Sequence, residues 1–83
     1  MYYVYLLKSI KDNTLYTGQT SDLKLRIICH SQGKVKSTKY RRPLRLIFYE
    51  AFLAKKDALR REHYFKTTKG KSSIKQILRN SLE

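Results

Sequence analysis

Between Leu15 and His30 the chain changes its hydrophobic period within a few residues, and that change limits the folds open to it. Leu15-Tyr16-Thr17 reads as a short strand, Gly18 interrupts it, and Thr20-Ser21-Asp22 supplies three residue types that favour helix N-caps. Leu23 to His30 is then predicted to be helical, with Leu23, Ile27 and Ile28 as its apolar stripe. Asp22, Arg26 and His30 recur at intervals of four and stack along one side of that helix. A strand bearing tyrosine thus feeds a helix that carries an arginine and a histidine one turn apart.

A chain of 83 residues makes one domain (1–83) with a small core. Nineteen Lys and Arg against six Asp and Glu leave a formal net charge of +13, which repels itself unless a polyanion is near. Nucleic acid is the partner this predicts. A membrane is not, because no stretch approaches the roughly 20 apolar residues of a span and the cationic residues are spread over loops and helices instead of one amphipathic helix. The N-terminal MYYVYLLKS lacks the positive leader of a signal peptide, so a cytoplasmic location is expected. The single cysteine, Cys29, can form neither an internal disulfide nor a cysteine-rich zinc site, and is expected to be a small buried core residue.

Tyr2 to Leu7 is a short aromatic and branched run, a strand with Tyr3 and Tyr5 on one face and Tyr2 and Val4 on the other. Lys11-Asp12-Asn13 carries turn chemistry, so this run and Leu15-Tyr16-Thr17 form a predicted β-hairpin. With Asp12-Asn13 as a two-residue loop, facing positions sum to 25 and Tyr16 shares a face with Tyr5. Gly33 is a helix stop, and Gly33 to Pro43 reads as a basic loop. Leu46 to Phe52 is a third strand, apolar on both faces and hence expected in the middle of the sheet. Lys55 to Lys66 turns helical, with Ala58, Leu59 and Phe65 on one face and Glu62 between them. Thr67 to Ser72 breaks the pattern at Gly70. Ser73 to Leu82 is a last helix, with Ile74, Ile77 and Leu78 inward and Lys75 and Arg79 outward. Two strands in a hairpin and a third reached through a helix make a small mixed sheet covered by helices, in the order ββαβαα, an α/β or α+β fold.

A carboxylate facing the core, as Glu62 does in this reading, is costly unless paired, neutralised or metal-bound. An ion pair is its plain explanation, and a ligand role the other. Arg26 and His30 could equally be a solvated face, and the tyrosines could be sheet packing. Together the same residues fit phosphodiester hydrolysis, which needs an activated water, a cation on the phosphoryl oxygens and usually a divalent metal. A phenol or imidazole could take the water's proton, Arg26 could hold the phosphate with its planar fork, and Glu62 could ligate a hard ion such as magnesium.

Tyr3-Val4-Tyr5, followed about ten residues later by Tyr16-Thr17-Gly18, resembles the paired tripeptides of the GIY-YIG nuclease superfamily. Arg26 lies eight residues past the motif glycine and His30 four further on, as in that family's first helix. Glu62 in RREHYFK is similar to its metal-binding glutamate. The likeness covers nearly the whole chain and is strongest to small stand-alone bacterial members; Tyr3 and Thr17 replace the motif's first glycine and second isoleucine. It implies a three-stranded antiparallel sheet flanked by three helices, with Tyr5 and Tyr16 positioning or deprotonating the attacking water. It further implies that His30 assists proton transfer, Arg26 stabilises the scissile phosphate and Glu62 holds one Mg2+ or Mn2+ ion. Asn80 matches a further polar residue near the family's C-terminal end.

The function expected from these readings is a metal-dependent endonuclease acting on DNA, with RNA as the other nucleic acid open to it. Weak sequence preference or structure selectivity, targeting by a protein partner, and a role in repair or recombination go with this expectation. Lys34, Lys36, Lys39, Tyr40, Arg41 and Arg42 are the expected nucleic-acid contacts, Tyr40 either stacking on an unpaired base or anchoring the loop. The rivals are a non-catalytic nucleic-acid-binding module of the same fold and a binder of an acidic protein or ribosome surface. The sequence leaves the oligomeric state open.

Overall fold

Tyr2–Ser9 form β1 and Leu15–Thr20 form β2, joined as an antiparallel hairpin. Helix α1 spans Leu23–Ser31, a 3-10 turn spans Lys39–Arg41, β3 is Leu44–Phe52, α2 is Lys55–Phe65 and α3 is Thr68–Ile77. This computed structural model describes residues 1–82. The order is ββαβαα, an α+β fold with one antiparallel sheet ordered β2-β1-β3.

The central strand is therefore β1, not β3, and the sheet is wholly antiparallel, as the family resemblance implies, and not mixed. Strand β1 is hydrogen-bonded on both edges and covered on both faces, and Val4, Tyr5, Leu6 and Leu7 are its fully buried run. Strand β3 has one free edge and no fully buried residue, so its two-faced apolarity reflects partial cover on each side. It begins at Leu44, two residues before the predicted start, and its pairing with β1 shifts between Leu6 and Leu7.

The hairpin loop is longer than predicted. Ser9 N–H donates to Thr14 C=O at 2.9 Å and facing positions sum to 23, as in Tyr5 opposite Gly18 and Leu7 opposite Tyr16. Because the register moves by an even number, Tyr16 keeps the same face as Tyr5. The Asp12 carboxylate closes the turn by accepting from Thr14 N–H at 3.0 Å and Thr14 Oγ1 at 2.7 Å.

One face of β1 supplies Val4 and Leu6 to a core completed by Ala58 and Phe65 of α2, Ile74 of α3 and Leu78 just beyond it. Each large apolar side chain so buried contributes about 1.5–3 kcal/mol. Leu59 and Ile77, predicted to face inward, are exposed, and the core uses Ala58, Phe65, Ile74 and Leu78 without them. Nor does Gly70 end a helix: Thr67 caps α3 by accepting Gly70 N–H at 3.0 Å, and Gly70 sits buried in the first turn against the backbone of Tyr64 and Phe65. The last helix consequently runs over Thr68–Ile77 instead of Ser73 to Leu82.

Arg61 ties α2 to β3 by donating from Nε to Glu50 Oε1 at 2.8 Å and from Nη2 to Oε2 at 3.2 Å, while its guanidinium lies 4.4 Å from the Phe65 ring centroid. Among the described residues no helix is long and apolar enough to cross a membrane.

Candidate active site

Helix α1 is fixed at both ends. Asp22 Oδ1 accepts Leu25 N–H at 3.0 Å at the start. At the end Gly33, with φ of 75°, lets its own N–H reach His30 C=O and that of Lys34 reach Cys29 C=O, which satisfies two terminal carbonyls. The helix buries its histidine more deeply than its apolar stripe: His30 is its one buried residue, Leu23, Arg26 and Ile27 are half-buried, and Leu25 and Ile28 are exposed. Cys29, expected in the core, is half-buried for the same reason. A helix that buries histidine at 1 % exposure while showing leucine to solvent is shaped by something other than core packing.

What His30 meets is Tyr5. Tyr5 Oη lies 2.7 Å from His30 Nε2, and Arg26 Nε donates to the same phenol oxygen at 3.4 Å. The Tyr16 ring stands 5.3 Å from the imidazole and 6.4 Å from the Tyr5 ring, centroid to centroid. Gly18 makes this possible, since a Cβ there would overlap the Tyr5 hydroxyl and Cζ. On its other side, His30 Nδ1 is 2.7 Å from Thr38 Oγ1, and Thr38 is fully buried.

Four of the residues singled out in the sequence, Tyr5, Tyr16, Arg26 and His30, thus meet in one cluster drawn from β1, β2 and α1. Burial pushes the Tyr5 phenol above its ordinary range; Tyr16 and the Glu62 carboxylate add to the push, and the Arg26 guanidinium opposes it. Hydrogen bonding to Tyr5 holds Arg26 firmly charged. Burial, with the Arg26 charge, lowers His30 to about 4, so the imidazole is neutral at pH 7.

Glu62 makes no hydrogen bond with these four residues among the described residues, and its charge is the smallest of the influences on Tyr5. It projects from α2, a helix packed against β1 and β2, with its side chain 22 % exposed. The cation next to it in sequence, Arg61, is taken by Glu50. Its own ion pair is a loose one, Oε2 to Lys66 Nζ at 3.4 Å, and Lys66 is largely in solvent. Among the described residues no group of three or more His, Cys, Asp and Glu gathers, so a metal here would have Glu62 as a lone carboxylate anchor.

The basic segment is more ordered than a loop. Arg41 donates to Thr14 Oγ1 at 2.7 Å and to Leu15 C=O at 3.0 Å, and Arg42 to Lys39 C=O at 3.0 Å and Ser31 C=O at 3.3 Å. Ser9 Oγ donates to Arg41 C=O at 2.7 Å. Lys34, Lys36 and Lys39 remain in or near solvent, and Tyr40 is 76 % exposed with Lys39 Nζ over its ring. Asn80 lies exposed beyond α3. Thr38 was hidden from sequence reasoning by its five basic neighbours; the one hint is Val35, three residues before it, the apolar residue that buries with it.

Comparison with known proteins identifies the family. The family model for the GIY-YIG catalytic domain matches residues 1–76. A UPF0213 protein of Staphylococcus haemolyticus is 46 % identical over 77 residues, covering 92 % of this chain and 93 % of the relative. The UPF0213 protein YazA of Bacillus subtilis is 45 % identical over 85 residues, covering 99 % and 85 %. The solution NMR structure of the UPF0213 protein BH0048 from Bacillus halodurans superposes with a TM-score of 0.57 at 38 % identity, over 93 % of this chain and 85 % of that one. The chain belongs to the GIY-YIG catalytic-domain family, a family of nucleases.

Proposed function

We propose that this protein is a divalent-metal-dependent endonuclease that hydrolyses phosphodiester bonds in DNA. The observation that carries the reading is the Tyr5 phenol, hydrogen-bonded at 2.7 Å to a neutral buried imidazole and at 3.4 Å to a guanidinium. In this reading Arg26 seats the scissile phosphate. Water attacks phosphorus, the P–O bond opposite it breaks, and the leaving oxygen takes a proton from solvent. The water's own proton goes to Tyr5 Oη, and Tyr5 passes its own proton to His30 Nε2. Tyr5 Oη is closed to solvent in the free protein and would be uncovered as Arg26 turns onto the phosphate. Tyr16 shapes the same wall of the cleft.

Burial first, and the Arg26 charge second, hold down the proton affinity of His30, and a phosphate anion on Arg26 would offset the second of these. Glu62 fits a hard ion that keeps several waters and takes further oxygens from phosphate, the habit of Mg2+ and to a similar degree Mn2+. Such an ion supplies Lewis acidity at the phosphoryl oxygens. Lys34, Lys36, Lys39 and Tyr40 would track the flanking strand, and because these contacts are to the backbone, selectivity for a DNA structure over a sequence is part of the proposal. A repair or recombination setting follows from that selectivity.

Labelled single-stranded and duplex DNA and RNA, incubated with the protein and Mg2+ or Mn2+, test the proposal. Cleavage that EDTA abolishes, and that Arg26→Ala and Glu62→Gln lose while still binding DNA, supports it. Binding without cleavage of any nucleic acid by clean wild-type protein would leave only the non-catalytic module.

A further inference from the structure

We propose that Thr38 is a positioning residue that selects the tautomer of His30, and so decides which way a proton can leave Tyr5. The inference rests on the nuclease reading for its consequence, but on hydrogen bonds alone for its structural content.

His30 is held between two oxygens at 2.7 Å, Tyr5 Oη on Nε2 and Thr38 Oγ1 on Nδ1. A neutral imidazole donates from one nitrogen and accepts at the other, so the two contacts cannot be alike. Thr38 Oγ1 also lies 3.4 Å from Val35 C=O, an atom that can only accept. If the Thr38 hydroxyl donates to Val35, its lone pairs face His30, and Nδ1–H donates to them. Nε2 is then a bare lone pair aimed at the Tyr5 hydroxyl. Every proton in the row has an acceptor: Tyr5 O–H to Nε2, Nδ1–H to Thr38 and Thr38 O–H to Val35.

The reverse row leaves the Tyr5 proton without an acceptor. Nε2–H would donate to Tyr5 Oη, which already accepts from Arg26, and the phenol could pass nothing to the imidazole. Burial makes the choice matter. Tyr5, His30 and Thr38 are each within 1 % of complete burial, so solvent does not repair a wrong assignment. Tyr16 and Arg26, the other polar side chains facing the ring, make no hydrogen bond to it and leave Thr38 as its orienting partner. Thr38 itself is held by its N–H on Val35 C=O at 3.1 Å and by Arg41 N–H on its own C=O at 2.9 Å.

The test is long-range 15N–1H NMR of the His30 imidazole in the full chain, which reads the tautomer without any substrate. Wild type is expected to carry the proton on Nδ1, and wild type with the proton on Nε2 overturns the proposal outright. Thr38→Ser keeps the hydroxyl and should keep both the Nδ1–H pattern and cleavage. Thr38→Val keeps the shape and loses the hydroxyl; it should shift the ring towards Nε2–H and lower kcat about 100-fold, with KM little changed. An unshifted tautomer in folded Thr38→Val overturns the proposal. A protein that cuts nothing would instead defeat the nuclease reading and leave the tautomer result standing.

Discussion

Tyr5 and Gly18 face each other across β1 and β2, and the phenol occupies the space that a side chain at position 18 would need. The glycine is required by a neighbour, not by its own backbone, since its φ is not in the left-handed region.

Gly18→Ala should therefore displace the proposed proton acceptor while sparing the fold. The Tyr5 ring would have to move off His30, and a shift of about 1 Å at such a site costs on the order of 100-fold in rate. Thermal unfolding should show only a moderate loss, about 1–3 kcal/mol for one overpacked methyl. Full activity in Gly18→Ala would mean that the Tyr5–His30 contact is not used.

Gly70→Ala should do the opposite. The added methyl meets the Tyr64 carbonyl and the Phe65 backbone, which cannot rotate away as a side-chain tip can. We expect destabilisation of at least about 2 kcal/mol by denaturant titration, with cleavage per folded molecule unchanged below the transition.

Glu50 and Arg61 provide a further stability test. The pair is two-thirds buried and bidentate, and Arg61 also lies on Phe65. Arg61→Ala should cost about 1.5–3 kcal/mol, the range for hydrogen bonds to charged groups. Arg60, whose pair with Asp57 is open to solvent, should give less than about 0.5 kcal/mol when replaced by alanine.

The depressed pKa of His30 has a definite sign in stability. The unfolded imidazole takes up its proton near 6.5 and the folded one only near 4, so between those values the unfolded state binds more protons. Stability is complete above about pH 6.5 and is lost as pH falls towards 4, with a slope of at most about 1.4 kcal/mol per unit from this group. His30→Asn should flatten that part of the urea-midpoint profile. An unchanged slope would place the titration elsewhere.

The order of elements and the meeting of Tyr5 with Tyr16 were legible because both depend on periods that survive errors of detail. The hairpin loop is two residues longer than read, yet an even slip keeps every side chain on its face. What was illegible follows from competition between pattern and site. On α1, apolar periodicity points Ile28 inward, but the Tyr5 phenol on β1 and the Thr38 hydroxyl ahead of the 3-10 turn hold His30 inward and leave Ile28 exposed. Strand β3 looked central because half-burial on two faces leaves the same composition as full burial on both. Gly70 looked like a breaker because sequence does not reveal a backbone passing close by.

Among the basic residues of the segment Lys34 to Arg42, structure separates two kinds that composition treats alike. Arg41 and Arg42 spend their donors on Thr14, Leu15, Lys39 and Ser31, holding the segment on the hairpin and on the end of α1. Lys34, Lys36 and Lys39 make no side-chain hydrogen bond or ion pair among the described residues and are the ones available to phosphates. Each lysine that neutralises a phosphate contributes about 0.9 to the slope of log Kd against log salt on duplex DNA. Replacing all three by alanine should flatten the slope by up to about 2.7, three such contacts, while leaving Tm in place. Arg41→Ala should lower Tm as well, because it frees the segment that carries Thr38. Equal salt slopes for wild type and the triple variant would move the nucleic-acid path off this segment and onto the lysines of α2 and α3.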